Sequence, residues 1–266
     1  MPLQHWKPAH GRRAPKVSVL AMATWIVLPV LTFAQAEKPA SSASRDLATP
    51  RFPDGHPNLG SVPGHKGYWE VRPGLGGMPR AADVPFQPWA KALYQYRISR
   101  RDLYPPLVAC KPASGPAFFN APGFEIVDAP ELKRIFILNI AGPHSWRVVY
   151  MDGRPHPSSE NLRPTFLGHS IGHWDGDNLV IDTVGFNEKQ WIAGAYPTTR
   201  RLHLSERLSR PNLTTLNYEA TIDDPGAYTK PWSLHWSINQ KTSSSWIAGG
   251  EMFEYICEDA DQEGRN

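Results

Sequence analysis

Apolar and polar residues alternate with a period of two through much of the second half of the chain. Leu216, Tyr218, Ala220 and Ile222 are interleaved with Asn217, Glu219 and Thr221. Trp232, Leu234, Trp236 and Ile238 are interleaved with Ser233, His235 and Ser237. Successive side chains of a strand point to opposite faces, so this spacing predicts half-buried strands. Further strands are predicted over 124–127, 134–140, 146–151, 202–208 and 252–257, divided by proline and glycine turns. Helical spacing is clear once, where Trp89, Leu93 and Tyr96 predict a helix over about 88–100 with its aromatic face packed on the domain. Pro88 suits its first turn. About eight or nine strands joined by short turns predict a mainly β chain, an antiparallel up-and-down, lipocalin-like barrel whose closure removes exposed edges. A two-sheet β-sandwich is the alternative.

The strongest turn signal lies inside FLGHSIGHWDGDNLVIDTVGFN, residues 166–187. Its centre, Asp175-Gly176-Asp177-Asn178, tolerates the positive φ of a tight hairpin. A two-residue turn at Asp175-Gly176 sets His169 opposite Asp182, whereas a four-residue loop sets it opposite Val184. The first pairing puts His169, Ile171, His173, Asn178, Val180, Asp182, Val184 and Phe186 on one face. The other face then carries Gly168, Ser170, Gly172, Trp174, Leu179, Ile181 and Thr183. With the His169 face inside, the barrel holds a reactive pocket; with the other face inside, it holds a packed core.

The N-terminus changes the picture of where the protein works. Lys7, Arg12, Arg13 and Lys16 precede an apolar run over 17–33, and Ala34-Gln35-Ala36 has the small residues of a cleavage site. Residues 1–36 are expected to be a signal peptide, with an uncleaved anchor as the alternative. The mature chain would begin near Glu37, in the periplasm or outside the cell, with no membrane contact after cleavage. Residues 37–121 read as a Pro/Gly-rich arm, with the helix and a short strand at 67–71, and residues 122–266 as the barrel domain. In an oxidising compartment Cys110 and Cys257 are expected to form a disulfide, which would contribute about 4–5 kcal/mol on the chain-entropy account. The net charge is only +3, and no basic run interleaved with aromatics lies beyond the signal, so nucleic acid is not an expected partner. Ten tryptophans imply large apolar surfaces, either core or the wall of a pocket for a small apolar or aromatic molecule.

His169 with Asp182 is the sharpest candidate for chemistry, because a carboxylate orients an imidazole and raises its basicity. The alternative is an ordinary cross-strand ion pair. Arg207 would clamp a substrate carboxylate, and Tyr150, Arg154, His203, Tyr228 and Trp232 would line the substrate site. Asp152, His156, His173 and Glu206 complete the polar set. His203 and Glu206 are three apart on one predicted strand, so they point to opposite faces. His169 and His173 are separated by roughly 13 Å along a strand at ~3.3 Å per residue, too far to share one ion. No metal or cofactor is expected. The reading is a cofactor-independent acid–base enzyme of lyase, decarboxylase or isomerase type. The alternative is a secreted barrel that binds an apolar ligand without altering it. The oligomeric state is left open.

The runs YMDGRPHP (150–157), GHSIGHWDGDNLVIDTVGFN (168–187), LHLSER (202–207), IDDPGAYTKPW (222–232) and EYICED (254–259) together resemble a large family of secreted bacterial proteins, usually labelled hypothetical. PFQPWAKALYQYR and IAGPHSWRVVYMDGR extend the likeness upstream, over most of the mature chain. The resemblance implies a secreted domain and brings no settled activity. One departure stands at Pro197-Thr198-Thr199-Arg200, where related sequences commonly carry Pro-His-Ser. Gly67-Tyr68-Trp69 also resembles the G-x-W opening of lipocalin-type barrels.

Overall fold

A computed structural model describes residues 47–71, 78–100, 110–119, 123–140, 143, 145–192, 195–242 and 251–252. The expected signal peptide, Cys257 and, apart from Met252, the expected strand over 252–257 lie outside the described residues. The elements are β1 (Tyr68–Glu70), α1 (Pro88–Ser99), β2 (Phe124–Ala129), β3 (Arg134–Asn139), β4 (Trp146–Tyr150), β5 (His169–Asp175) and β6 (Asn178–Val184). They continue with β7 (Trp191–Ile192), β8 (Tyr196–Pro197), β9 (His203–Asn212), β10 (Thr215–Asp223) and β11 (Trp232–Lys241).

Nine strands close a barrel in the order β1-β11-β10-β9-β6-β5-β4-β3-β2, while β7 and β8 form a separate hairpin. The chain is mainly β, as the alternation predicts, and closure rules out the sandwich. A ring of nine strands cannot be antiparallel at every seam, because directions that alternate around an odd ring must clash once. That seam is β4–β5, which runs parallel with Val149 opposite Ser170 and Tyr150 opposite Ile171. Parallel neighbours need a long return connection, here residues 151–168. The short strand expected near residue 68 closes the ring between β11 and β2.

Trp69 of the G-x-W run is buried and donates its indole N–H to the Leu59 carbonyl at 2.8 Å. The Arg210 guanidinium lies 4.9 Å over its ring and donates to the carbonyls of Asn58, Gly60 and Leu213. Gly60 is required there, since a Cβ would meet the Ile126 carbonyl oxygen at 2.1 Å. The helix forms where expected but turns a different face inward. Trp89 and Tyr96 are 46% and 49% exposed, while Ala90 is buried. Tyr94 packs against Tyr196 at 5.0 Å, and Arg97 lies 4.2 Å over the Trp191 ring. The i, i+4, i+7 set Ala90, Tyr94 and Arg97 is thus the docking face, because it meets the β7–β8 aromatics.

Inward positions such as Ile135, Ile137, Leu179, Ile181, Leu204, Leu208, Ala220 and Trp236 are buried. Among them sits a charged pair, Arg147 of β4 with Glu206 of β9, their side chains 3% and 0% exposed. Arg147 donates through both terminal nitrogens to Glu206, through Nε to Ser170 Oγ (2.9 Å) and through Nη2 to Thr183 Oγ1 (2.6 Å). The Tyr218 hydroxyl donates to Glu206 Oε1 at 2.8 Å. Burial works against the Arg147 charge, but the Glu206 carboxylate outweighs it and raises the guanidinium above its ordinary value. Burial, reinforced by Glu206, pushes the Tyr218 hydroxyl well up.

Removing one partner of such a pair leaves an uncompensated buried charge, which typically costs about 3–5 kcal/mol. Glu206→Gln is therefore expected to lower the urea midpoint by that equivalent, and the double variant Arg147→Met/Glu206→Leu to recover most of it. A single-variant loss below about 1 kcal/mol would mean the pair is not buried as described.

Candidate functional site

The β5–β6 hairpin turns at Gly176-Asp177, with Asp175 opposite Asn178, and Gly176 takes the positive φ of 58°. His169 consequently faces Val184, and Asp182 faces Ile171. The expected direct opposition of His169 and Asp182 is corrected, because the turn begins one residue later than Asp175-Gly176. Moving a turn by one residue moves each partner by two, so every side chain keeps its face. The inward set includes Ser170, Leu179, Ile181 and Thr183, all buried. The barrel interior here is a packed core, and the His169 face looks outward.

The return connection 151–168 places His156 on that outer wall. His156 Nε2 is 2.7 Å from Asp182 Oδ1, and His203 Nε2 is 2.6 Å from Asp182 Oδ2. His156 Nδ1 lies 2.9 Å from His169 Nδ1. Asp182 and His169 are thus joined, with His156 between them. The Tyr150 ring stacks on His169 with centroids 5.3 Å apart, and the Arg154 guanidinium lies 4.2 Å over Tyr150. Asp152 holds Arg154 through Nε and Nη2, and the arginine's hydrogen bonds keep the Asp152 carboxyl down at about 2.

Partial burial works against the Asp182 charge, but hydrogen bonds from His203 and His156 outweigh it and hold the carboxyl below its ordinary value. An ionised carboxylate only accepts, so both Nε2 atoms carry protons. In the tautomer with His156 neutral, its lone pair is on Nδ1, where it accepts the Nδ1–H of His169. The lone pair of His169 is left on Nε2, for which no partner exists among the described residues. Burial, with the neighbouring His156 and Arg154, lowers the His169 pKa from 6.5. In the tautomer with His156 neutral, the chain Asp182–His156–His169 ends in an unprotonated ring nitrogen and can move charge inward when that nitrogen takes a proton.

A cleft of about 370 Å³ opens on the same outer surface. His56 sits in it with Nε2 3.0 Å from Asp128 Oδ2 and Nδ1 2.5 Å from Asp54 Oδ1. Its ring stacks on Phe52 at 4.6 Å and meets Trp174 at a tilt, with centroids 4.9 Å apart. Burial pushes the Asp128 carboxyl above its ordinary value, against the hydrogen bond from His56. Lys133, Arg134, Met151, Asp152 and His173 also line the cleft. Arg134 joins the two regions, since its guanidinium is 5.4 Å from the Tyr150 ring.

Of the residues expected in the site, His169, Asp182, Tyr150, Arg154 and His203 come together. Arg207 lies apart, bound to Asp175 at 2.5 and 2.9 Å on the surface. Tyr228 and Trp232 are buried in an aromatic cluster with Phe86 near α1, their ring centroids 5.3 Å apart. Tyr228 donates to the Pro197 carbonyl, and burial pushes its hydroxyl far up. Sequence spacing gave no sign of His56 with Asp128, since 72 residues separate them and His56 stands in a segment without a period. Among the described residues, no group of three His, Cys, Asp or Glu is placed to hold a metal ion. No family model, curated protein or solved structure matches this chain.

Asp182 has a depressed pKa, so its contribution to stability is present above the ordinary value of 3.8 and is lost as pH falls through the folded value. The melting-temperature gap between the wild type and Asp182→Asn should persist from neutral pH down to that region and close below it. A gap independent of pH would show that the carboxylate charge does not stabilise the wall.

Proposed function

We propose that the protein is a cofactor-independent acid–base enzyme, of lyase, decarboxylase or isomerase type, whose reactive group stands on the outer barrel wall. The observation that carries this reading is Asp182 held between His156 and His203, with His169 chained to His156. His169 Nε2 takes the substrate proton. The Nδ1 proton of His169 can then pass to His156, so that positive charge comes to rest beside the Asp182 carboxylate. Arg154, close enough to lower the His169 pKa, favours negative charge developing on the substrate. Arg154 thus fills the cationic role that the sequence suggests for Arg207, which is engaged by Asp175. A small aromatic or apolar molecule remains the proposed substrate. The packed interior removes the reactive pocket that an inward His169 face would have made and weighs equally against a barrel that stores an apolar ligand, so the proposed chemistry rests on the outer wall alone.

The test is loss of substrate when the purified protein is incubated with a panel of phenolic and terpenoid acids. Once a turnover is found, His169→Gln should lower kcat by about 10²–10⁴ with little change in melting temperature. Asp182→Asn should lose less, because it weakens the orientation of His156 but leaves a base. The rate should hold on the acid side down to below pH 6.5, since the His169 pKa is lowered from that value. Unchanged kcat in His169→Gln would sink the assignment.

We further propose that the chain is exported and processed near Glu37, as the resemblance to secreted proteins suggests, and that Cys110 is bridged to Cys257. Intact-mass analysis of exported protein should give a chain beginning near Glu37. Peptide mapping without reductant should recover both cysteines in one linked species. A retained N-terminus, or two alkylatable thiols, would overturn the respective proposal.

A further inference from the structure

We propose that the outer cleft binds a small aromatic carboxylate, with Arg134 and Lys133 taking the carboxylate and Trp174 with Met151 taking the ring. The argument begins with the charges that line it. Asp152 is matched by Arg154, and Asp54 and Asp128 share His56. Lys133 and Arg134 have no acidic partner among the described residues. The Arg134 guanidinium lies 5.4 Å over the Tyr150 ring, and its N–H fork meets no acceptor among the described residues. A planar fork with free donors is the group that best matches a carboxylate.

A second, independent observation is the backbone of Lys133. It is one of two non-glycine residues at positive φ among the described residues, at φ 48° and ψ 49°. Its N–H donates to the Pro130 carbonyl at 3.0 Å, and its own carbonyl accepts from Met151 N–H at 2.9 Å. Glycine would suit that conformation better, yet a lysine occupies it at the cleft's edge. Strain of this kind concentrates where a side chain has a task. A volume of about 370 Å³ lies at the small end of the range for organic ligands. The inference goes beyond proton transfer at His169 and does not depend on it.

The test is calorimetric titration of the full mature chain with benzoate, with benzylamine as the same ring of opposite charge and acetate as the carboxylate without a ring. Benzoate should bind, acetate at least tenfold more weakly, and benzylamine not at all. Arg134→Gln should weaken benzoate at least tenfold. Lys133→Gly should weaken it severalfold without lowering the melting temperature, because the backbone there accepts glycine, so this variant keeps the test valid if Arg134→Gln folds poorly. His169→Gln should bind benzoate as the wild type does, whether or not it retains turnover. The proposal is overturned if benzoate fails to bind at millimolar concentration or if Lys133→Gly and a folded Arg134→Gln bind it undiminished. It is also overturned if benzylamine is preferred or if His169→Gln abolishes binding.

Discussion

The buried pair Arg147–Glu206 is the constraint on which the rest of the barrel depends. Its hydrogen bonds reach β4, β5, β6, β9 and β10, five consecutive strands of the ring. They cross the parallel seam, where only two residue pairs of β4 and β5 are in register. The bond from Arg147 to Ser170 therefore supports a junction that the backbone ladder holds weakly. A charge in an apolar interior is costly unless every partner is in place. Slipping one of these strands by a residue would withdraw its partner and bury an uncompensated charge.

The interior pair also decides what lies outside. Side chains alternate along a strand, so fixing Ser170 and Thr183 inward turns His169, Ile171 and Asp182 outward. Fixing Glu206 inward likewise turns His203, Ser205 and Arg207 outward. The odd number of strands supplies the remaining part. It demands one parallel seam, the seam demands a long return, and the return carries His156 onto the wall between Asp182 and His169. Interior registry and outer chemistry are thus consequences of the same arrangement.

This ordering explains what could be read from the residues and what could not. Strand positions followed from alternation over 216–222 and 232–238, since period two reports burial directly. The faces of the hairpin are legible although the turn falls one residue later than Asp175-Gly176, because a shift of one at the turn preserves parity in both strands. Parity could not say which face was inside. The pattern offered Ser170 and Thr183 against His169 and Asp182, polar residues on both sides. The answer rested on Arg147, whose partner lies 59 residues away. The helix shows the same limit, since its docking face was chosen by the aromatics of β7 and β8 and not by its own spacing.

His156 stands between the two residues that sequence spacing suggested should meet directly, and the difference matters chemically. A base bonded straight to a carboxylate keeps its new charge on the same ring. Here the first imidazole is joined to a second, and only the second touches Asp182. In the proposed reaction, with His156 neutral, a proton accepted at His169 Nε2 would leave its positive charge on His156. Asp182 is bonded to His203 through its other oxygen, so one carboxylate holds both imidazoles on the wall. The lowered pKa of His169 keeps the outer nitrogen unprotonated near neutral pH, and the inner pair accommodates the charge once it forms. That division of labour needs the return connection, which in turn needs the parallel seam that the Arg147–Glu206 pair secures.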